Sequence, residues 1–68
     1  MPEKWTGDVV GEMHTHRIKK EEMAAALHWH PKYFSRVING HKRPVGAEQK
    51  IKAALAQIVA GREEAGSN

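Results

Sequence analysis

Lys32, Ser35 and Arg36 stand three and four residues apart, just after Pro31, and a second basic run, His41-Lys42-Arg43, comes five residues later. Residues three and four apart share one face of a helix. An ammonium, a hydroxyl and a guanidinium on one face donate hydrogen bonds and positive charge. That is the chemistry of gripping a polyanion and not of making or breaking bonds. A helix with such an outer face has a layout suited to lying in a groove of DNA.

Other chemistry is poorly provided for. His14 and His16, and His28 and His30, form pairs two apart, but zinc on a helix prefers ligands three or four apart. The chain has no cysteine, so no thiolate site or disulfide can staple it. No metal and no cofactor are expected. There is no Gly-rich phosphate loop, no nucleophile beside a base and no carboxylate pair in a cleft. Four short helices are expected to enclose no pocket of useful volume, so no enzymatic role is expected either.

The elements that must position these residues can be read from apolar spacing. The 68 residues suit a single small domain with a marginal core. A first helix is expected from Thr6, with Thr6 as N-cap, Asp8 in the first turn, and Trp5 and Val10 as a hydrophobic staple. Val9, Val10, Met13 and Ile18 are expected to point inward. Gly7 and Gly11 weaken this helix. A second helix is expected over residues 19–27, with Met23 and Leu27 inward and Ala24 at a close helix crossing. A tight turn, Leu27-His28-Trp29-His30, leads to a third helix over residues 31–38. There Pro31 fits the first turn and Phe34, Val37 and Ile38 face inward. Asn39-Gly40 ends it. A fourth helix over residues 47–60 buries Ile51, Ala54, Leu55, Ile58 and Val59, and Gly61 is its expected C-cap. No segment alternates with strand period. The expected fold is all-α, a compact four-helix bundle, with a domain over residues 1–61 and a flexible polar tail over 62–68.

Charge is concentrated where the chemistry is. From Arg17 to Lys52 nine Lys and Arg face three acidic residues, a net of +6, while the whole chain carries +3. No apolar run approaches the ~20 residues that span a bilayer, and the start, MPEKWTGD, has no secretory apolar core. A cytoplasmic location, nucleoid-associated when bound, and no membrane partner are expected.

Together, Met23-Ala24, Leu27, Trp29, Pro31, Tyr33-Phe34-Ser35-Arg36-Val37-Ile38-Asn39-Gly40 and Lys42-Arg43-Pro44 resemble the phage repressor/Cro-like helix-turn-helix family, also called the xenobiotic-response-element type. The resemblance runs from about Val9 to Leu55, with the motif at about residues 19–39. It implies the repressor-like bundle and sequence-specific binding of double-stranded DNA, usually by a transcriptional regulator of a bacterium, phage, prophage or mobile element. The chain departs from the family pattern at three positions. His28 stands where Gly is usual, so a non-Gly residue is expected at positive φ, which His tolerates better than most. His30 replaces the usual Ser cap, and Lys20 replaces the Gln that opens the second helix. The family's extra C-terminal helix is missing or merged into the fourth.

With the third helix in the major groove, the resemblance implies base-edge contacts from His30, Lys32, Tyr33, Ser35 and Arg36. Arg36 can donate two bonds to guanine O6 and N7. Ser35 serves a base or a phosphate, and Tyr33 serves a phosphate, a thymine methyl or only its neighbours. Lys20, Asn39, Gly40, His41, Lys42 and Arg43 are expected at the DNA backbone, Gly40 and His41 through their N–H groups. Asn39 has the alternative of simply capping the helix, and Lys42 and Arg43 that of solubilising charge. Trp29 is expected as a core plug under the turn. Protonating histidines within the patch, below about pH 6.5, adds charge that favours DNA.

The expected function is therefore DNA binding with a repressor's role, and no small-molecule ligand. A weak homodimer, formed on DNA, would meet half-sites about one turn, ~34 Å, apart. Two alternatives remain: a protein-interaction module, such as an antitoxin or adaptor on the same helices, and a non-specific nucleoid-type DNA binder.

Overall fold

The computed structural model describes residues 4–66. They form four helices: α1 (Lys4–Thr15), α2 (Lys20–Leu27), α3 (Pro31–Ile38) and α4 (Ala47–Gly66). Among the described residues there is no strand, and none of the helices is long and apolar enough to cross a membrane. The all-α expectation holds.

One core joins all four helices. Phe34, Met23, Ile51 and Val9 are fully buried at its centre, each from a different helix. Burying side chains of this size contributes roughly 1.5–3 kcal/mol each. Met13 from α1, Ile18 just after it, Ala24 from α2, Val37 and Ile38 from α3, and Ala47, Ala54 and Leu55 from α4 complete it. Leu27, Trp29, Tyr33, Ile58 and Val59 are half-buried against it. Ala24 is 1% exposed, as a close crossing requires.

The first three helices end in the same way. At the end of α1, the N–H of Ile18 donates to the Met13 carbonyl at 2.8 Å and that of Arg17 to His14 at 3.2 Å. At the end of α2, Trp29 donates to Ala24 at 2.8 Å and His28 to Ala25 at 3.1 Å. At the end of α3, His41 donates to Arg36 at 2.8 Å and Gly40 to Val37 at 3.1 Å. Each is a Schellman turn, which needs one left-handed residue. Those residues are Arg17 (φ 56°), His28 (φ 59°) and Gly40 (φ 83°). The positive φ expected of His28 is present. Arg17 is a second non-glycine stop that its sequence context did not suggest. The turn after α1 also drops Ile18 back onto the core, where it is buried.

The helix starts differ from expectation in α1 and agree in α3. Thr6 is not an N-cap, because α1 already runs through Lys4 and Thr6 is buried within it. Asp8 therefore lies beyond the first described turn. Val10 is 44% exposed, so the Trp5–Val10 staple does not form, since both residues lie inside one continuous helix. In α3, Pro31 takes the first helical position, and Nδ1 of His30 accepts from the N–H of Lys32 at 3.1 Å. His30 is thus a working N-cap in the usual place of Ser, a role open to an unprotonated ring nitrogen.

α4 is longer than expected. It continues through Gly61 to Gly66, so Gly61 is not a C-cap. A glycine signals a stop only if the chain turns left-handed there, and Gly61 is absent from the positive-φ residues. The anticipated polar tail is helical over 62–66, and Ser67 and Asn68 lie outside the described residues.

Candidate nucleic-acid interface

The outer side of α3 is built by what its inner side buries. With Phe34, Val37 and Ile38 in the core, Lys32 and Arg36 are both exposed, four residues apart on one face. Tyr33 and Ser35 flank them and are half-buried. Arg36 also sits in the last turn, where a cation is favoured by the helix dipole. Among the described residues no ion pair links Lys20, Lys32, Arg36 or Lys42 to a carboxylate. Two of the three acids within the basic stretch are already engaged: Glu48 with Lys52 at 2.7 Å and Glu22 with Arg62 at 2.7 Å. The face keeps its positive charge.

Each expected contact residue can now be placed. His30 is exposed, but its Nδ1 is occupied by the cap, leaving Nε2 to face outward. Tyr33 packs edge-on against Trp29, which anchors its ring at the start of α3. The Nδ2 of Asn39 donates to Oγ of Ser35 at 3.3 Å, one turn back. That bond orients both side chains at the helix end, while Asn39 caps α3 through its backbone N–H, which donates to the Ser35 carbonyl at 2.9 Å.

The loop after α3 is held by backbone. The Arg36 carbonyl accepts from His41 at 2.8 Å and from Lys42 at 3.3 Å. The base of the loop is thereby tied to the same residue whose side chain leads the exposed face. His41, Lys42 and Arg43 then present exposed side chains beside it. One expectation is corrected here. The N–H groups of Gly40 and His41 are not spare phosphate donors, because both close the Schellman turn of α3. Any backbone-phosphate role of His41 falls to its side chain. Lys20 is exposed at the first residue of α2.

The start of α2 carries a feature that sequence reading missed. The carboxylate of Glu22 accepts from the N–H of Lys19 at 3.3 Å, which is half of a capping box. Lysine has no acceptor to complete the other half. Arg62, on the far end of α4, grips the same carboxylate through both oxygens, at 2.7 and 2.9 Å, and also donates to the His16 carbonyl. A helix stop at Gly61 places Arg62 in the tail. The available signal was helical spacing, since Arg62 follows Ile58 by four residues and Val59 by three.

The expectation of no usable pocket needs a correction in size. The described residues form surface clefts of about 250 and 320 Å³. The first lies between Trp5, the Lys42-Arg43-Pro44 loop and the start of α4, and the second between α1 and α4 beside Asp8, Glu12 and Lys52. Both are at or below the small end of the range for small-molecule sites. No group of three or more His, Asp or Glu among the described residues is arranged to hold a metal ion. No family model, curated protein or solved structure matches this chain.

Proposed function

We propose that this chain is a small sequence-specific duplex-DNA-binding protein of the repressor-like helix-turn-helix kind, with α3 entering the major groove. The observation that carries the reading is the division of α3: Phe34, Val37 and Ile38 wholly inside, Lys32 and Arg36 wholly outside and unpaired among the described residues. A helix held this firmly has no packing use for its outer face. Positive charge left unneutralised there attracts a polyanion.

In this reading Arg36 reads a guanine edge, with Lys32, Tyr33, Ser35 and the outward side of His30 beside it. Lys20, Asn39, Lys42, Arg43 and the His41 side chain hold the phosphates. The His30 cap fixes the start of the reading helix, and the doubly bonded Arg36 carbonyl fixes the loop that follows it. The regulatory role, as a repressor of phage, prophage or mobile-element origin, rests on the sequence resemblance.

Selection from random oligonucleotides, followed by binding titrations at two salt concentrations, tests the proposal. Neutralising about three phosphates, through Lys20, Lys42 and Arg43, gives a log–log salt slope of about −3. Recovery of a short common site with that slope supports the reading. A common site absent from the selected pool would leave a non-specific coating protein, and salt-insensitive behaviour would leave a protein-interaction module.

A further inference from the structure

We propose that Arg62 is a positioning residue for the DNA-contact surface: it clasps the first turn of α2 and thereby sets where Lys20 meets the phosphate backbone. The inference rests on the DNA-binding reading and deepens it.

One guanidinium joins three parts of the chain. It projects from α4, grips both oxygens of Glu22 in α2 and donates to the carbonyl of His16, just after α1. A planar fork suits this task, since Nη2 reaches both Glu22 oxygens while Nη1 is left to donate to the His16 carbonyl. Oε1 of Glu22, the nearer of the two oxygens to Arg62, also accepts from the N–H of Lys19, the residue that caps α2. Lys20 is the next residue. The chain entering α2 is therefore held from the cap side by Glu22, and Glu22 is held from behind by Arg62.

The clasp has a second effect. Glu22 is two residues from Lys20, well within the ~10 Å over which charge is felt at 0.1 M salt. Left unpaired, its carboxylate would repel a phosphate approaching Lys20. Bound to Arg62 through both oxygens, one of them the cap oxygen itself, its charge is offset. The Arg62 and Glu22 side chains are 40% and 41% exposed, and a pair so open to water adds little to stability. Its contribution is orientation and local charge.

The test is a double-mutant cycle on the full chain, with the duplex selected by wild type as probe and fluorescence anisotropy as readout. Lys20→Ala is expected to weaken binding about tenfold in wild type but less than about threefold when Arg62→Gln is already present. Lys42→Ala, on the loop after α3, is the control and costs the same factor in both backgrounds. Arg62→Lys keeps the charge but offers one nitrogen where the guanidinium uses Nη1 for the carbonyl and Nη2 for the carboxylate, so it is expected to reproduce the loss of Lys20 coupling. It also carries the test alone if Arg62→Gln lowers the helical circular dichroism signal. An equal Lys20→Ala cost in wild type and both Arg62 variants overturns the clasp and leaves the DNA-binding reading standing. Wild type that binds no duplex in a salt-dependent way overturns both.

Discussion

The ring of Trp29 meets the ring of Tyr33 edge-on, with centroids 5.0 Å apart and planes at 88°. The contact joins the turn after α2 to the first turn of α3. Trp29 is itself tied back to α2 through its N–H bond to Ala24. The angle between the two helices is thus set partly by an aromatic pair lying half in the core and half in solvent. Trp29→Ala is expected to lower stability by about 2–3 kcal/mol, through lost burial and the lost ring contact. Tyr33→Leu keeps most of the apolar area and is expected to cost about 1 kcal/mol. Urea denaturation measures both, and equal effects would remove Trp29 from its place as the anchor.

His28 holds a left-handed backbone with a side chain attached. That conformation costs an L-residue roughly 1–2 kcal/mol, and glycine avoids it while adding some freedom to the unfolded chain. His28→Gly is therefore expected to stabilise the fold by about 0.5–1 kcal/mol. Arg17→Gly is expected to do the same at the end of α1. A lower denaturation midpoint for His28→Gly would show that the imidazole makes a contact outweighing the strain.

Gly61 makes the opposite case. It lies inside α4, and a methyl group added there meets nothing within 4 Å. Gly61→Ala is expected to stabilise by about 0.5–1 kcal/mol, the difference in helix propensity. Were Gly61 the stop that its sequence context suggests, alanine would destabilise instead. Thermal melting separates the two by sign.

On DNA, Arg36 and Lys42 are expected to fail differently. Arg36→Ala should lose about 1–3 kcal/mol of affinity and relax sequence preference at one position. Lys42→Ala should weaken all sequences alike and reduce the magnitude of the salt slope by about 1. Competition titrations against single-base variants of the selected site distinguish them. Uniform loss for Arg36→Ala would move it from base reading to the phosphate backbone.

The sequence by itself determined the local parts. Apolar residues three and four apart placed α2, α3 and most of α4, because a helix has a fixed pitch and one face must be buried. Pro31 and Asn39-Gly40 marked the limits of α3, since ring-locked φ and left-handed freedom are properties of single residues. The exposed basic side of α3 followed from the same spacing. The left-handed turn at His28 was legible only through the resemblance to the helix-turn-helix pattern, in which Gly is usual at that position.

What the tertiary structure alone decided was which local signals counted. Thr6 and Gly61 have the chemistry of helix ends, yet both lie inside helices: Trp5, before Thr6, packs against the core, and Arg62, after Gly61, is bonded to Glu22 and to the His16 carbonyl. Gly40 and His41 offer N–H donors on paper, but the fold spends them on closing α3. Arg62 and Glu22 are forty residues apart, and no periodicity links them. Only packing α4 across α1 and α2 brings a guanidinium to a carboxylate, because a long-range ion pair depends on where whole helices come to rest.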